Sequence, residues 1–207
     1  MSISYCICAD VVDIKEDCPL EDDIFFVDTN VWFWLTYTKA SQSASPVFQY
    51  QYDEYPNYVN TALFVGSQLL PSTISLIELA HLIEKTEREL YMKDNTKIGL
   101  KEFRHHLEWE RKQVAMEIET AWEQVKGIAQ PVSCEIDNEI TDSIITRFQN
   151  EKMDAYDFLI LESMRCHGVV KIITDDGDFA TISGIQVFTA NHNVIETARK
   201  NDKLILR

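Results

Sequence analysis

The sequence predicts an α/β fold, a three-layer α/β/α sandwich with a central parallel sheet of four or five strands and an added helical insertion. Three short apolar runs have the length of buried strands, at residues 24–27, 169–174 and 184–189. Helical spacing of apolar residues precedes or follows each run. Strands that alternate with helices usually lie parallel, with helices on both faces of the sheet. A chain of 207 residues suits one such domain.

The composition indicates an ordinary globular protein with a strongly acidic surface. Hydrophobic residues make up 45% of the chain, and the net charge is −15. Such a surface repels nucleic acid, so a phosphate-bearing substrate would need bound cations or a local basic patch. The sequence has five cysteines, an odd number, and no CxxC pair, so we expect reduced thiols and no disulfide framework. The N-terminus has no basic flank and no apolar run approaches ~18 residues, so we expect a cytoplasmic protein without a membrane span.

The chain divides into an N-terminal extension, residues 1–22, and one domain, residues 23–207. Within the extension, the apolar stretch 5–12 predicts an additional edge strand. The run 24–27 predicts a buried strand, and the Asp-Thr-Asn sequence after it indicates a turn and a helix start. Residues 38–57 are polar and show no helical or strand period, which predicts a surface loop.

A second strand is predicted at 69–71, followed by a helix that places Glu78 in its first two turns. A long helical insertion then covers about 86–130. Its apolar residues recur at steps of three, four and seven from residue 97 to Gly127, which predicts one helix of about 28 residues and on the order of 40 Å. The remaining patterns predict helices at 140–148, at 154–168 and from residue 193.

Acidic residues cluster where predicted strands end and predicted helices begin. Asp28 ends the first strand, Asp176 and Asp178 follow a later one, and Glu78 and Asp157 stand near helix starts. In a parallel sheet these positions share the carboxyl edge. Converging carboxylates raise one another's pKa unless a cation neutralises them. A hard divalent ion with oxygen ligands, Mg²⁺ or Mn²⁺, is the cofactor that this arrangement favours.

Each acid also has a purely structural alternative. Asp28 can cap the next helix, Glu78 can complete a capping box with Ser75, and Asp157 can stabilise a helix start through the macrodipole. Strand alternation past residue 173 places Asp176 and Asp178 on one side of the backbone and Asp175 on the other. We therefore expect Asp175 to be only a turn residue.

Four segments resemble the motifs of PIN-domain nucleases, in the family's order: FFVDTN at 25–30, SxxxxxEL at 72–79, DFLIL at 157–161 and TDDGDF at 174–179. The resemblance covers residues 23–190 in outline. It implies metal ligation and catalysis by four acids, an accessory acid at Asp178, and polar residues that orient the acids at Asn30 and Thr174. The four acids are Asp28, Glu78, Asp157 and Asp176. The extension and the 79-residue spacing from Glu78 to Asp157 depart from compact family members.

The resemblance also implies a function and partners. It favours a metal-dependent endoribonuclease that hydrolyses RNA phosphodiester bonds with an activated water, in the setting of a toxin–antitoxin pair. The implied partners are RNA, a cognate antitoxin or other protein, and a second copy of the chain. Exposed tryptophans such as Trp32, Trp34 or Trp109 could serve a dimer interface, and burial in the core is the alternative.

The predicted insertion carries the best candidate for a phosphate-contacting surface. Eight basic and six acidic residues lie between Lys85 and Lys112, in contrast to the acidic remainder. We expect RNA contacts from a short list of residues: Lys97, Lys101, Arg104 and His105. The alternative is a solvated helix face of mixed charge.

Three other functions compete with an RNA-cleaving enzyme. A PIN-like domain could act on DNA, or it could bind RNA or protein without cleavage. A more distant alternative is a di-iron carboxylate oxidoreductase, because Glu78 with His81 and Glu102 with His105 both form Glu-x-x-His pairs. That alternative requires a four-helix bundle, which the predicted strands disfavour.

Overall fold

The computed structural model describes residues 5–43 and 45–207 of the chain. The first four residues of the predicted extension, and residue 44 in the predicted loop, lie outside the described residues. Five strands form one all-parallel sheet: β1 (Asp10–Asp13), β2 (Ile24–Val27), β3 (Gln68–Pro71), β4 (Lys171–Ile173) and β5 (Gln186–Thr189). Their order across the sheet is β1-β5-β4-β2-β3. The predicted α/β fold is confirmed.

Eight helices in the described part of the chain surround the sheet: α1 (Thr29–Thr36), α2 (Gln49–Val65), α3 (Ser75–Asp94), α4 (Leu100–His106), α5 (Glu108–Ile128), α6 (Asn138–Arg147), α7 (Ala155–Cys166) and α8 (His192–Lys200). They cover both faces because the strands are apolar on both. In β2, Phe25 and Val27 pack with α1, α2, α3 and α5, whereas Phe26 packs with α7 and α8. This two-sided burial explains why the strands are continuous apolar runs without polar alternation.

The sheet register brings the ends of β2 and β4 together. These strands are neighbours, and Val27 pairs with Ile173 at the carboxyl edge. The residues that follow, Asp28 and Thr174, therefore emerge side by side. Helices α3 and α7 begin near the same edge, after β3 and after the loop beyond α6. The convergence of these segments, which the candidate site requires, follows directly from the topology.

The N-terminal extension belongs to the sheet. Strand β1 pairs with β5 over four residues, and Val11 also bridges to Leu204 near the C-terminus. The predicted edge strand is confirmed. Its side chains join both cores, with Val12 on the α1 face and Val11 on the α7 face.

The insertion is not one long helix, and this prediction is wrong. Helix α3 continues to Asp94, and α4 and α5 follow as separate helices with Leu107 between them. Leu107 has φ −118° and ψ 75°, outside the helical region, which turns the chain there. Helix α5 also runs past Gly127, the expected stop. Its residues Ala121 and Val125 lie in the core that contains α1 and α3.

The predicted loop at 38–57 is largely helical. Residues 40–43 and 46–48 form 3₁₀ turns, and α2 begins at Gln49. This segment is helical although its sequence is polar, because tertiary packing outweighs the local preference. The ring of Tyr55, for example, is fully buried in the core. Of the tryptophans, Trp32 is also fully buried, while Trp109 is 70% exposed on α5.

Two cysteines contradict the prediction of reduced thiols. Cys134 and Cys166 form a disulfide that joins the segment before α6 to the last residue of α7. Spatial packing brings together two residues that are 32 positions apart, with Cα atoms separated by 6.1 Å. Cys6, Cys8 and Cys18 are free. The disulfide weakens the argument from cysteines for a cytoplasmic location, which stays a prediction. Among the helices of the described residues, none is both long and apolar enough to cross a membrane.

Candidate functional site

Three of the predicted acids form a compact cluster at the carboxyl edge of the sheet. Carboxylate oxygens of Asp157, Asp176 and Asp178 all lie within 4.8 Å of one another. Asp157 comes from the first turn of α7, and the other two come from the loop after β4. Asp157 is buried, and its two partners are half-buried. These three side chains could hold one metal ion.

Asp28 adjoins this cluster at the end of β2. Its buried carboxylate accepts a hydrogen bond of 2.7 Å from the Thr174 hydroxyl. The pKa of Asp28 is raised to about 6: burial and the charge of Asp176 raise it, while hydrogen bonds from Thr174 and Asn30 oppose the shift. Thr174 therefore contacts the Asp28 carboxylate directly, and the orienting roles of Thr174 and Asn30 stay a prediction.

Glu78 flanks Asp28 from α3. Its carboxylate accepts a 2.6 Å hydrogen bond from the Thr29 hydroxyl. The pKa of Glu78 is raised to about 7: burial and the charges of Asp28 and Asp154 raise it, and the Thr29 hydrogen bond opposes the shift. The capping box with Ser75 does not form, because the Ser75 hydroxyl accepts from the backbone of Ser72. Glu78 therefore faces the other acids.

Asp157 caps its own helix, and among the candidate acids it has the largest rise in pKa. Its carboxylate accepts from the backbone N–H of Asp154 at 3.3 Å, so the structural alternative for this residue is also present. Burial raises the pKa of Asp157 to about 9, and the charges of Asp176, Asp154 and Asp28 contribute. A carboxyl group in such surroundings gains greatly from a nearby cation.

Asp154 is an acid of the site that sequence reasoning missed. It is the N-cap of α7, and its carboxylate accepts from the backbone N–H groups of Tyr156 and Asp157 at 2.8 and 3.0 Å. Its charge raises the pKa of Glu78, Asp157, Asp176 and Asp178. The signal in the sequence was an Asp-x-x-Asp pattern at a helix start, in which both acids belong to the capping box and to the cluster.

Tyr5 is a second missed residue, and it covers the acidic loop from the N-terminal extension. A Cβ atom added to Gly177 would lie 2.3 Å from a ring carbon of Tyr5, so glycine allows the ring to rest on the loop backbone. Burial raises the pKa of Tyr5, and the charges of Asp176, Asp178 and Asp175 add to it. The apolar pattern of the extension gave no signal for this contact.

The loop after β4 holds its acids by local hydrogen bonds. The Thr174 hydroxyl accepts from the backbone N–H of Asp176 at 2.9 Å, and the Asp176 carboxylate accepts from that of Asp178 at 2.8 Å. Burial raises the pKa of Asp176 and of Asp178. These bonds hold the backbone of the loop and the carboxylate of Asp176 in one arrangement.

Asp175 points to the opposite side, as strand alternation predicted, but it is more than a turn residue. Its carboxylate accepts hydrogen bonds from Tyr55 at 2.7 Å, from Gln51 at 2.5 Å and from Tyr50 at 3.0 Å. Burial raises the pKa of Asp175, and these three donors oppose the shift. The hydrogen bonds of Asp175 thus connect the acidic loop to α2. Because residues 38–57 were predicted to be a surface loop, these three partners were not expected.

The four residues that are predicted to contact RNA differ in their surroundings. Arg104 lies on α4, where its guanidinium donates two hydrogen bonds to the buried carboxylate of Glu84. Lys97, Lys101 and His105 are exposed. The di-iron alternative is wrong, because the chain is not a helical bundle. Glu102 is exposed and accepts from the backbone N–H of Gly99 at 2.9 Å, so it acts as a helix cap.

The acids receive no compensating positive charge from the protein. Among the described residues, no lysine, arginine or histidine forms an ion pair with any of the six: Asp28, Glu78, Asp154, Asp157, Asp176 and Asp178. Buried carboxylates without a cationic partner are strongly unfavourable unless they are protonated or bind a cation. The donor set consists of carboxylate oxygens, the preferred ligands of Mg²⁺ and Mn²⁺.

The resemblance to PIN-domain nucleases depends on the four short motifs and their order. The structure brings the acids of these motifs to one edge of a parallel sheet. No protein-family model and no curated protein matches this sequence.

Proposed function

We propose that this protein is a divalent-metal-dependent nuclease that hydrolyses RNA phosphodiester bonds. The single observation that carries the proposal is the set of buried and half-buried carboxylates that separate segments deliver to one edge, where no described residue forms an ion pair with them. Perturbed acids in such an arrangement are typical of functional sites. The motif resemblance supports a nuclease and favours RNA over DNA. It also supports a toxin role with an antitoxin partner.

The chain's own residues would hold Mg²⁺ or Mn²⁺ through Asp157, Asp176 and Asp178, with Asp28 and Glu78 beside them. A bound divalent ion lowers the pKa of water and neutralises charge on a phosphate during in-line displacement. Thr174 fixes Asp28, and Thr29 fixes Glu78, so both acids keep one orientation. The backbone N–H of Asp178 fixes Asp176 in the same way. Such preorganisation is what a catalytic centre requires.

The test is cleavage of labelled single-stranded RNA and of DNA with the same sequence, in Mg²⁺, Mn²⁺ or EDTA. We expect RNA cleavage by the wild type with either metal and none in EDTA. Asp28→Asn and Asp176→Asn should each reduce the rate by at least about a hundredfold, because each removes a negative charge that binds the cation. Asp142→Asn is the matched control, since this exposed acid lies on α6.

Other outcomes would assign the site differently. Cleavage that survives both substitutions would contradict the role of the acids. Preferential DNA cleavage would keep the chemistry and change the substrate. Metal binding by calorimetry, lost in Asp176→Asn but without cleavage of either polymer, would favour a domain that binds without cutting.

A further inference from the structure

A groove of about 420 Å³ is lined by residues of α3, α4, α5 and α7. One wall is formed by Ile77 and His81 of α3, and another by Tyr156 of α7. Ile77 precedes Glu78, and Tyr156 precedes Asp157, so the helices that supply two of the acids also supply these walls. The volume is within the range of sites that accept small ligands. A polymer bound across the acids would extend naturally into this groove.

The groove contains an excess of positive charge that is held in place. Glu84 is buried, and its carboxylate accepts hydrogen bonds from Arg104 and, at 3.0 Å, from Arg111. Hydrogen bonding from Arg104 lowers the pKa of Glu84, so the carboxylate stays ionised and keeps both arginines in position. Two guanidinium groups share one carboxylate, which leaves one net positive charge.

These arginines remain accessible to a ligand. The side chain of Arg104 is 40% exposed and that of Arg111 is 50% exposed, although both are tethered to Glu84. Guanidinium groups bind phosphate through paired N–H donors, and tethering reduces the entropy lost on binding. In a chain with a net charge of −15, a local positive surface beside the acids is where a polyanion can approach.

Tyr156 adds an aromatic surface to the same groove. It lies in the first turn of α7 and is 47% exposed. A partly exposed aromatic ring beside a cationic pair is the combination that proteins use to bind single strands, with bases on rings and phosphates on cations. Bases inside a duplex are already stacked and cannot reach such a ring.

We propose that this groove binds the nucleotide adjacent to the cleaved phosphodiester of a single-stranded RNA. Its phosphate lies on Arg104 and Arg111, and its base stacks on Tyr156. The position of this nucleotide relative to the cleaved bond rests on the proposed function of the acidic cluster. The inference also assigns a single-stranded substrate. Of the four basic residues expected from the sequence, Arg104 lines this groove, and Arg111, Glu84 and Tyr156 were not anticipated.

The test is binding of a fluorescein-labelled random-sequence single-stranded RNA, measured by anisotropy in EDTA and, for the Asp176→Asn protein, in Mg²⁺. We expect Arg111→Ala to weaken binding about tenfold and to reduce the slope of log affinity against log salt by about one. Lys112→Ala is the matched control, because this neighbouring lysine pairs with Glu108 away from the groove. Its binding should equal that of the wild type.

The stacking contact is tested by Tyr156→Ala and Tyr156→Phe. The alanine variant should weaken single-strand binding at least about fivefold, and the phenylalanine variant should restore it, because stacking needs only the ring. Binding of a duplex of the same composition should be weak in all variants. Stronger binding of the duplex, or of single-stranded DNA, would contradict the assigned ligand, as would absence of RNA binding by the wild type.

These outcomes separate the groove from the acidic cluster. If Arg111→Ala and Tyr156→Ala bind RNA as the wild type does, while Asp28→Asn abolishes cleavage, the groove assignment is wrong and the nuclease proposal stands. If both variants lose RNA binding but no protein cleaves RNA, the groove is a single-stranded RNA site, and the nuclease proposal and the register that rests on it are wrong.

Discussion

The two ends of β2 carry buried aspartates with opposite environments. Asp23, before the strand, is fully buried and accepts hydrogen bonds from Lys171 and, at 2.7 Å, from Arg207. Burial raises the pKa of Asp23, but these two cations outweigh it and hold the pKa at about 2. Asp28, after the strand, has Thr174 and Asn30 as neighbours, and burial raises its pKa to about 6.

The difference shows how this fold treats buried charge. At the amino end of β2 the charge is neutralised within the protein, and Arg207 also lies over the ring of Phe188 at 4.6 Å from its centre. At the carboxyl end several acids accumulate, and no cation of the described residues pairs with them. An isolated buried charge is unfavourable, so an uncompensated group of acids indicates a ligand that supplies the missing charge.

The largest effect on stability is expected at the neutralised end. Arg207→Ala leaves Asp23 with Lys171 alone and removes the packing on Phe188, so the free energy of unfolding should fall by about 3 kcal/mol. Urea denaturation measures it. Arg199→Ala, which breaks an exposed pair with Glu196, is the control and should change stability by less than about 0.5 kcal/mol. Equal effects of the two variants would show that the Asp23 end is not the stabilised one.

At the carboxyl end of β2, a substitution is expected to increase stability instead of lowering it. Asp28→Asn removes a buried charge and keeps an oxygen that can accept from Thr174, so in EDTA at pH 8 the free energy of unfolding should rise by on the order of 1 kcal/mol. The same variant should lose the stabilisation that Mg²⁺ or Mn²⁺ gives the wild type. Thermal unfolding with and without metal measures both changes. A destabilised variant in EDTA would break the comparison between the two ends.

The pH dependence of stability should differ in the same way. Asp157 has an ordinary pKa of 3.8 and a folded value of about 9, so in EDTA the folded protein binds the extra proton between these values and loses stability as the pH rises through them. Asp23 contributes stability above its ordinary pKa, and this is lost as the pH falls toward 2. Urea denaturation in EDTA at several pH values should therefore show a decline toward alkaline pH that Asp157→Asn reduces. An unchanged slope in that variant would contradict the burial of an uncompensated acid.

The sequence was sufficient to predict the parallel sheet and to locate most acids of the candidate site. Buried parallel strands such as β2 are apolar on both faces, and that pattern is local. The acids followed from their positions at strand ends and helix starts. Asp154 was missed because it lies outside the four motifs, at the start of a predicted helix where acids are common. Tyr5 was missed because nothing in an apolar stretch specifies which distant backbone it will cover.

Other features depended on contacts that the sequence does not display. The spacing of apolar residues continues through Leu107, so only the backbone turn there reveals that α4 and α5 are separate. The second half of α2, from Tyr58 to Val65, is helical in its sequence pattern, whereas the polar residues 49–57 concealed the first half, which is held by the core and by Asp175. Cys134 and Cys166 form a bond because the segment before α6 packs against the end of α7, which their spacing cannot indicate.

The pairing of β1 with β5 has a consequence for how the chain folds. The first strand finds its partner only after nearly the whole chain is present, and contacts of such high sequence separation close large loops and form slowly. During synthesis, Asp28 emerges early, whereas Asp176 and the strand that carries it emerge late. The acidic cluster therefore cannot assemble before the ribosome has released the loop after β4, and the contact of Tyr5 with Gly177 closes a loop of similar length.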